Sequence, residues 1–170
     1  MRVYLVRHGK AQRPEEAAGD DVRALVGLGQ TQARWLGAGI ARMIEREGAG
    51  GAGAKPLVVC SSPIVRARQT AELIAEALKV PMELSGKLST ACGLTELFDE
   101  LDYRAQQASE LGGAVMLVGH NPTMEEAAGR LLGKAGLSMG TGEAVVVELP
   151  SDWAGEAGVG KLVAHLVMER

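Results

Sequence analysis

The sequence predicts a three-layer α/β/α sandwich built on a mostly parallel sheet. Short apolar runs with β-branched members recur at residues 3–6, 57–60 and 114–118. Between them, apolar residues recur at spacings of three and four, the period of a helix with one buried face. Two further apolar runs, 144–149 and 161–168, follow with no helical segment between them. They are expected as antiparallel neighbours, so one antiparallel strand is placed near the C-terminus.

Length and composition fit this class. The 170 residues suit one domain, residues 1–170, large enough for a real core. Hydrophobic residues are 46% and charged residues 23%, an ordinary globular profile. Aromatics are only 3%, so the core must be aliphatic. The net charge of -3 argues against a nucleic-acid surface, which needs a basic stripe. It has little bearing on a small basic pocket.

Residues 1–6 read as the first strand. A polar excursion follows over residues 10–28, with Pro14, Gly19, Asp20 and Asp21; long loops of this kind often border a site. Residues 30–47 read as a helix through Ala33, Leu36, Ile40, Met43 and Ile44. The low-complexity stretch 48–54 breaks it and reads as a flexible connector, without the Lys-Ser/Thr of a Walker-type loop. Residues 57–60 form the second strand. Ser62 is placed as N-cap and Pro63 at the first helical position of a helix running to about residue 78, with Ile64, Ala67, Ala71, Ile74 and Leu78 on one face. A short strand is expected at 80–84 and a helix within 94–111. The third strong strand, 114–118, leads into His120-Asn121-Pro122, with Pro122 again expected at the first position of a helix ending near residue 132. A Gly-rich loop around Trp153 joins the last two strands; Trp153 is expected to anchor it.

Cys60 and Cys92 are the only cysteines. Cys60 reads as a small core residue, no disulfide framework is implied, and a reducing compartment fits. No N-terminal apolar signal region and no stretch near the ~20 apolar residues of a membrane span is present. A cytoplasmic protein with no membrane or nucleic-acid partner is expected, and a monomer.

In open parallel sheets, ligands bind beyond the carboxyl ends of the strands. Three such ends here carry matching chemistry. The first offers Arg7 and His8, the second opens the helix containing Arg66, and the third offers His120. Helix starts at the second and third ends direct N–H groups and a positive dipole end toward that edge, which favours an anion. Arginine suits phosphate because its planar fork binds two oxygens at once. Taken singly, each motif has an ordinary reading: a salt-bridged strand end, a helix arginine, a capping histidine. Their joint occurrence in one order is what points to a phosphate site.

Arg7-His8-Gly9 after an N-terminal strand, Ser62-Pro63-Ile64-Val65-Arg66-Ala67-Arg68-Gln69-Thr70, and Val118-Gly119-His120-Asn121-Pro122 together resemble the histidine phosphatase superfamily, which includes the phosphoglycerate mutases. The opening Arg7-His8-Gly9-Lys10-Ala11, the loop Gly19-Asp20-Asp21 and the small size are most similar to its short branch, the SixA-type phosphohistidine phosphatases. The resemblance runs over essentially the whole chain. It implies His8 as a nucleophile that becomes transiently phosphorylated, with Arg7, Arg66 and His120 holding the phosphoryl oxygens. Gly9, Lys10 and Asn121 are further candidates for substrate binding. His8 must present a free ring nitrogen, so its other nitrogen is expected to donate to a backbone carbonyl. His120, if protonated, would stabilise charge on the transferring group. No cofactor and no metal is expected, since no ligand-spaced Cys/His cluster is present.

Arg68 lies about 200° round the helix from Arg66 and is expected to point elsewhere, while Gln69 and Thr70 share the Arg66 face. His165 matches no motif and reads as structural. Many relatives in the superfamily carry a carboxylate that protonates the leaving oxygen, on an insertion corresponding to residues 79–113. That stretch is short here, and Glu96, Asp99 and Glu100 read as a solvated helix face. An alkoxide leaving group needs a proton in the transition state, whereas phosphohistidine leaves as neutral imidazole. The expected activity is therefore removal of phosphate from a phosphohistidine-bearing protein, a phosphotransfer domain or phosphocarrier. The alternatives are a phosphatase for small phosphorylated metabolites and a non-catalytic phosphate-binding module. Mutase activity is not expected, since the chain is too short for the lid a mutase requires.

Overall fold

The computed structural model describes residues 1–48 and 54–169. Most of the Gly-rich stretch read as a connector therefore lies outside the described residues. The elements in chain order are β1 (Arg2–Arg7), α1 (Gly27–Arg46), β2 (Pro56–Ser61), α2 (Val65–Leu78), β3 (Met82–Leu84), α3 (Leu94–Leu111), β4 (Ala114–Gly119), α4 (Thr123–Leu132), β5 (Ala144–Glu148) and β6 (Lys161–Leu166).

The strands form one sheet in the order β3-β2-β4-β1-β5-β6. β3, β2, β4 and β1 are mutually parallel. β5 runs antiparallel to both β1 and β6, so it is the antiparallel strand expected near the C-terminus.

Strand alternation divides the core into two layers. Val3, Leu5, Val115, Leu117, Val145 and Val147 pack against Leu97 and Leu101 of α3 and Met124 and Leu131 of α4. Tyr4, Val6, Met116, Val118 and Val146 face the other way, onto Leu36 and Ile40 of α1 and Ala71 and Ile74 of α2. Both faces of β1 and β4 are thus covered, which is why their sequences read as continuous apolar runs instead of alternating ones. Each fully buried Leu, Ile or Val contributes about 1.5–3 kcal/mol. The rare aromatic in this core, Tyr4, satisfies its hydroxyl by donating to the Ala54 carbonyl at 2.8 Å.

Three local expectations need correction. α2 begins at Val65 with Ile64 as N-cap, not at Ser62-Pro63. The Ser62 N–H still pairs with the Val118 carbonyl at 2.9 Å, so the strand's hydrogen bonding runs on to Ser62 and the chain turns only afterwards. Likewise Pro122 is the N-cap of α4, which starts at Thr123. The His120 carbonyl takes the Met124 N–H at 3.0 Å, a tight turn that precedes the helix. Lastly, the polar excursion is tied down. Ala11 and Leu25 form an antiparallel bridge, and the Val26 N–H donates to the Lys10 carbonyl at 3.0 Å, so α1 starts three residues early at Gly27.

Glu100 also departs from its expected solvated face. It is buried, accepts from Arg104 Nε at 2.8 Å and from Ser85 Oγ at 2.8 Å, and contacts Cys60 Sγ at 3.3 Å. Trp153 donates its indole N–H to the Glu156 carbonyl and packs on the α3/α4 side of the core, as a loop anchor. His165 is exposed and pairs with Glu143 Oε2 at 2.8 Å. Among the described residues, no helix is long and apolar enough to cross a membrane.

Candidate active site

Sheet register brings the three motifs to one edge. β1 and β4 are adjacent, with Arg7 opposite Gly119, and the His8 N–H donates to the Gly119 carbonyl at 3.1 Å. His8 and His120 therefore leave neighbouring strands at the same height, and their ring centroids lie 5.1 Å apart. β2 pairs with the far side of β4 and delivers α2, whose first turn carries Arg66. Arg7, His8, Lys10, Arg66, His120 and Asn121 all line a single cavity of about 280 Å³.

The His8 ring is held in one tautomer. Nδ1 lies 2.7 Å from the Gly9 carbonyl oxygen, which can only accept, so Nδ1 carries the proton. Nε2 is then left with its lone pair and receives Arg66 Nε at 3.3 Å. Burial, above all, pushes the His8 pKa down to about 3, with nearby His120, Arg66 and Arg7 acting in the same direction against the Gly9 bond. The ring is neutral near pH 7, the state a nitrogen nucleophile requires. His120 is likewise pushed down to about 4, first by burial and next by Arg66, so it is neutral near pH 7. An incoming phosphoryl dianion would raise it. His120 Nε2 shares a hydrogen bond with Ser62 Oγ at 2.8 Å.

Both histidines make stability depend on pH. Their folded pKa values lie below the unfolded value near 6.5, so between those limits the unfolded chain binds more protons. Stability is expected to fall as pH drops from about 6.5 toward 3, by more than 1.4 kcal/mol per histidine in total. Urea midpoints measured from pH 7.5 to 4.5 check this: the decline should be shallower in His8→Ala than in the parent chain.

The other predicted residues have distinct settings. Arg7 donates Nη1 to the Met139 carbonyl at 2.7 Å, and its buried Nε has no hydrogen-bond partner among the described residues. The Gly9 N–H donates to Thr70 Oγ1 at 3.0 Å, and Thr70 Oγ1 donates to the Arg66 carbonyl at 2.8 Å, so Thr70 ties the β1 exit to α2. Lys10 is exposed at the cavity mouth. Asn121 donates Nδ2 to Glu125 Oε2 and to the Met139 carbonyl, both at 2.8 Å. Arg68 pairs with Glu72 at 3.5 Å, away from the cavity. Gln69 accepts from the Leu25 N–H at 2.8 Å, holding the polar excursion against α2.

Gly9 is required by close approach. A Cβ there would lie 2.5 Å from the Gly29 carbonyl oxygen at the start of α1. Gly9→Ala is expected to force the β1 exit and α1 apart, at a cost of about 1–3 kcal/mol. Displacement of the His8 ring should accompany it, read as a lower thermal midpoint together with reduced turnover.

Sequence reasoning missed Arg23, Thr90 and Thr141, which also line the cavity, and Asp20, which bonds Arg66 and Arg23. Asp20 was marked only as part of a loop. Its signal, a carboxylate beside an arginine in a polar excursion, becomes legible only once α2 is in place. Glu96, read as part of a solvated helix face, accepts the Gly93 N–H at 2.9 Å and caps α3. Among the described residues, no carboxylate lines the cavity; the nearest one bonded to its lining is Asp20. Among the described residues, no group of three or more His, Cys, Asp and Glu is placed to hold a metal ion.

The model of the histidine phosphatase superfamily (branch 1) matches residues 3–92, more than half of the chain. The chain belongs to the histidine phosphatase superfamily. Membership in this superfamily supports a phosphatase. No curated protein matches the chain by sequence. Among solved structures, a SixA candidate phosphohistidine phosphatase from Agrobacterium tumefaciens aligns with TM-score 0.76 at 24% identity, covering 98% of this chain and 97% of that one. The protein histidine phosphatase SixA complexed with tungstate aligns with TM-score 0.72 at 22% identity, covering 98% and 96%. A SixA candidate from Nakamurella multipartitia gives 0.68 at 22% identity, covering 98% and 95%. At these identities the likeness establishes the histidine phosphatase fold. Its sheet and flanking helices are those described above.

Proposed function

We propose that this histidine phosphatase superfamily member hydrolyses phosphohistidine on a protein, without a metal, through a phosphorylated His8. The observation that carries the reading is the His8 tautomer: Nδ1–H is bound to Gly9, and the Nε2 lone pair faces Arg66 in a cavity shared with Arg7 and His120. Nε2 attacks phosphorus, the bond to the substrate's imidazole nitrogen breaks, and the electron pair stays on that nitrogen; a substrate ring already protonated on its other nitrogen leaves as neutral imidazole and needs no proton from the protein. Water then attacks the phosphoenzyme, releasing orthophosphate and restoring the His8 lone pair. Arg7 and Arg66 supply fixed positive charge to the phosphoryl oxygens, and positioning of this kind is most of what phosphoryl transfer asks of a protein. His120, once protonated beside the dianion, adds a third charge.

The carboxylate nearest the site, Asp20, is tied to Arg66 and Arg23 and held below its ordinary range, so it is a poor proton donor; this supports phosphohistidine over a phosphate ester, whose alkoxide must be protonated as it leaves. The names carried by the structurally similar SixA proteins point the same way. Two free cysteines and the lack of a disulfide suit a cytoplasmic setting, and the substrate would be a phosphotransfer domain or phosphocarrier. A substrate panel tests the reading. A phosphohistidine-bearing phosphocarrier should be cleaved with kcat/KM at least about 100-fold above sugar phosphates, the usual worth of a general acid. Faster cleavage of a sugar phosphate would assign the site to small metabolites instead.

A further inference from the structure

We propose that Asp20 is a positioning residue that orients Arg66 for the phosphoryl group; this rests on the phosphate-site reading above. Asp20 lies in a short 3₁₀ turn, Asp20–Val22, in the polar excursion after β1. Its carbonyl accepts Arg66 Nη1 at 2.7 Å and its Oδ2 accepts Nη2 at 3.1 Å. One residue thus takes the end of the guanidinium, the edge formed by the two terminal nitrogens. The opposite use is left to the side edge, Nε and the second hydrogen of Nη2. That edge faces the cavity, because Nε points at His8 Nε2 at 3.3 Å. An oxygen of a phosphoryl group being attacked by Nε2 would meet this side edge, which can donate two parallel bonds.

The same carboxylate does a second job. Asp20 Oδ1 accepts Arg23 Nη1 at 2.8 Å, and Arg23 Nε is fixed on the Gln12 carbonyl at 2.7 Å. Two arginines that line the cavity are therefore set by one anion standing outside its lining. The Asp20 side chain is 53% exposed while that of Arg66 is 6% exposed. A half-exposed carboxylate contributes little to folding stability, so its placement is better explained by what it does to Arg66. Arg23 and Arg66, with burial opposing them, hold the Asp20 carboxyl below its ordinary range. It therefore stays an acceptor near neutrality.

The test is binding of inorganic phosphate by titration calorimetry, with kcat/KM measured alongside. Asp20→Ala should weaken phosphate binding about tenfold, and Asp20→Asn, which keeps one acceptor oxygen, should recover most of that loss. In an Arg66→Ala background, Asp20→Ala should weaken phosphate binding by clearly less than its about tenfold effect in the parent chain, because only its hold on Arg23 is left. Unchanged or tighter phosphate binding by Asp20→Ala would overturn the proposal, the latter marking Asp20 as a competitor for Arg66. An equal loss in the Arg66→Ala background would also overturn it. Phosphate binding does not need His8 to attack, so these outcomes are separate from any failure to detect a phosphoenzyme.

Discussion

His8→Ala is expected to abolish phosphoenzyme formation and to lower kcat by about 10³-fold or more, since covalent catalysis loses its only acceptor atom. The expectation follows from how narrowly that atom is prepared. Nδ1 is committed to Gly9, so one ring nitrogen alone can attack. Burial keeps the ring neutral, and Arg66 Nε lies beside the attacking nitrogen. No neighbouring group can substitute: His120 Nε2 is engaged with Ser62, and Cys60 is buried behind the sheet with its thiol pushed up to about 12. Rapid-quench labelling with a phosphohistidine donor reads the effect directly. The parent chain should accumulate acid-labile, base-stable phosphate on His8, and the variant none. Burst labelling in His8→Ala would place the nucleophile elsewhere. The fold should survive, because His8 contributes no large apolar surface and its backbone bond to Gly119 is retained.

Arg66→Ala is expected to cost about 10²–10³-fold in kcat, the usual loss when one preorganised donor to a developing anion is removed. Arg66→Lys should recover little, since an ammonium cannot reproduce a planar fork that bonds Asp20 at one edge and faces the cavity at the other. Stability should change only modestly, because the carboxylate left behind at Asp20 is half exposed and still paired with Arg23. Steady-state kinetics on the phosphocarrier substrate, with the thermal midpoint as a control, separate the two effects. A kcat within about threefold of the parent would remove Arg66 from the transition state.

Arg7, His8, Arg66 and His120 could be recognised in the sequence because each is tied to a local pattern. Three follow or end apolar runs and one opens a helix, and such patterns depend on neighbours a few residues away. The free nitrogen of His8 was legible for the same reason, since its partner Gly9 is the next residue. Asp20 and Arg23 were not legible as site residues. The importance of Asp20 comes from contact with Arg66, more than forty positions along the chain, and Arg23 is set through Asp20; nothing in the 10–28 stretch alone announces either. Glu100 was misread on similar grounds: a carboxylate on a helix looks solvated until the buried Arg104 beside it is placed. The helix starts after β2 and β4 were shifted because residues that look like caps were still being held by the neighbouring strand or by a preceding turn.

By itself the sequence determined the layered α/β/α fold, the strand whose direction is reversed and the four residues at the cavity's centre. All of these follow from apolar period and from side chains at strand ends, which are short-range properties. Only the tertiary structure decided which way the Arg66 fork faces, that burial holds both histidines neutral near pH 7, and that Asp20 is tied to Arg66 and Arg23. Those depend on desolvation and on ion pairs between distant segments, and such energies exist only after the sheet has brought the segments together.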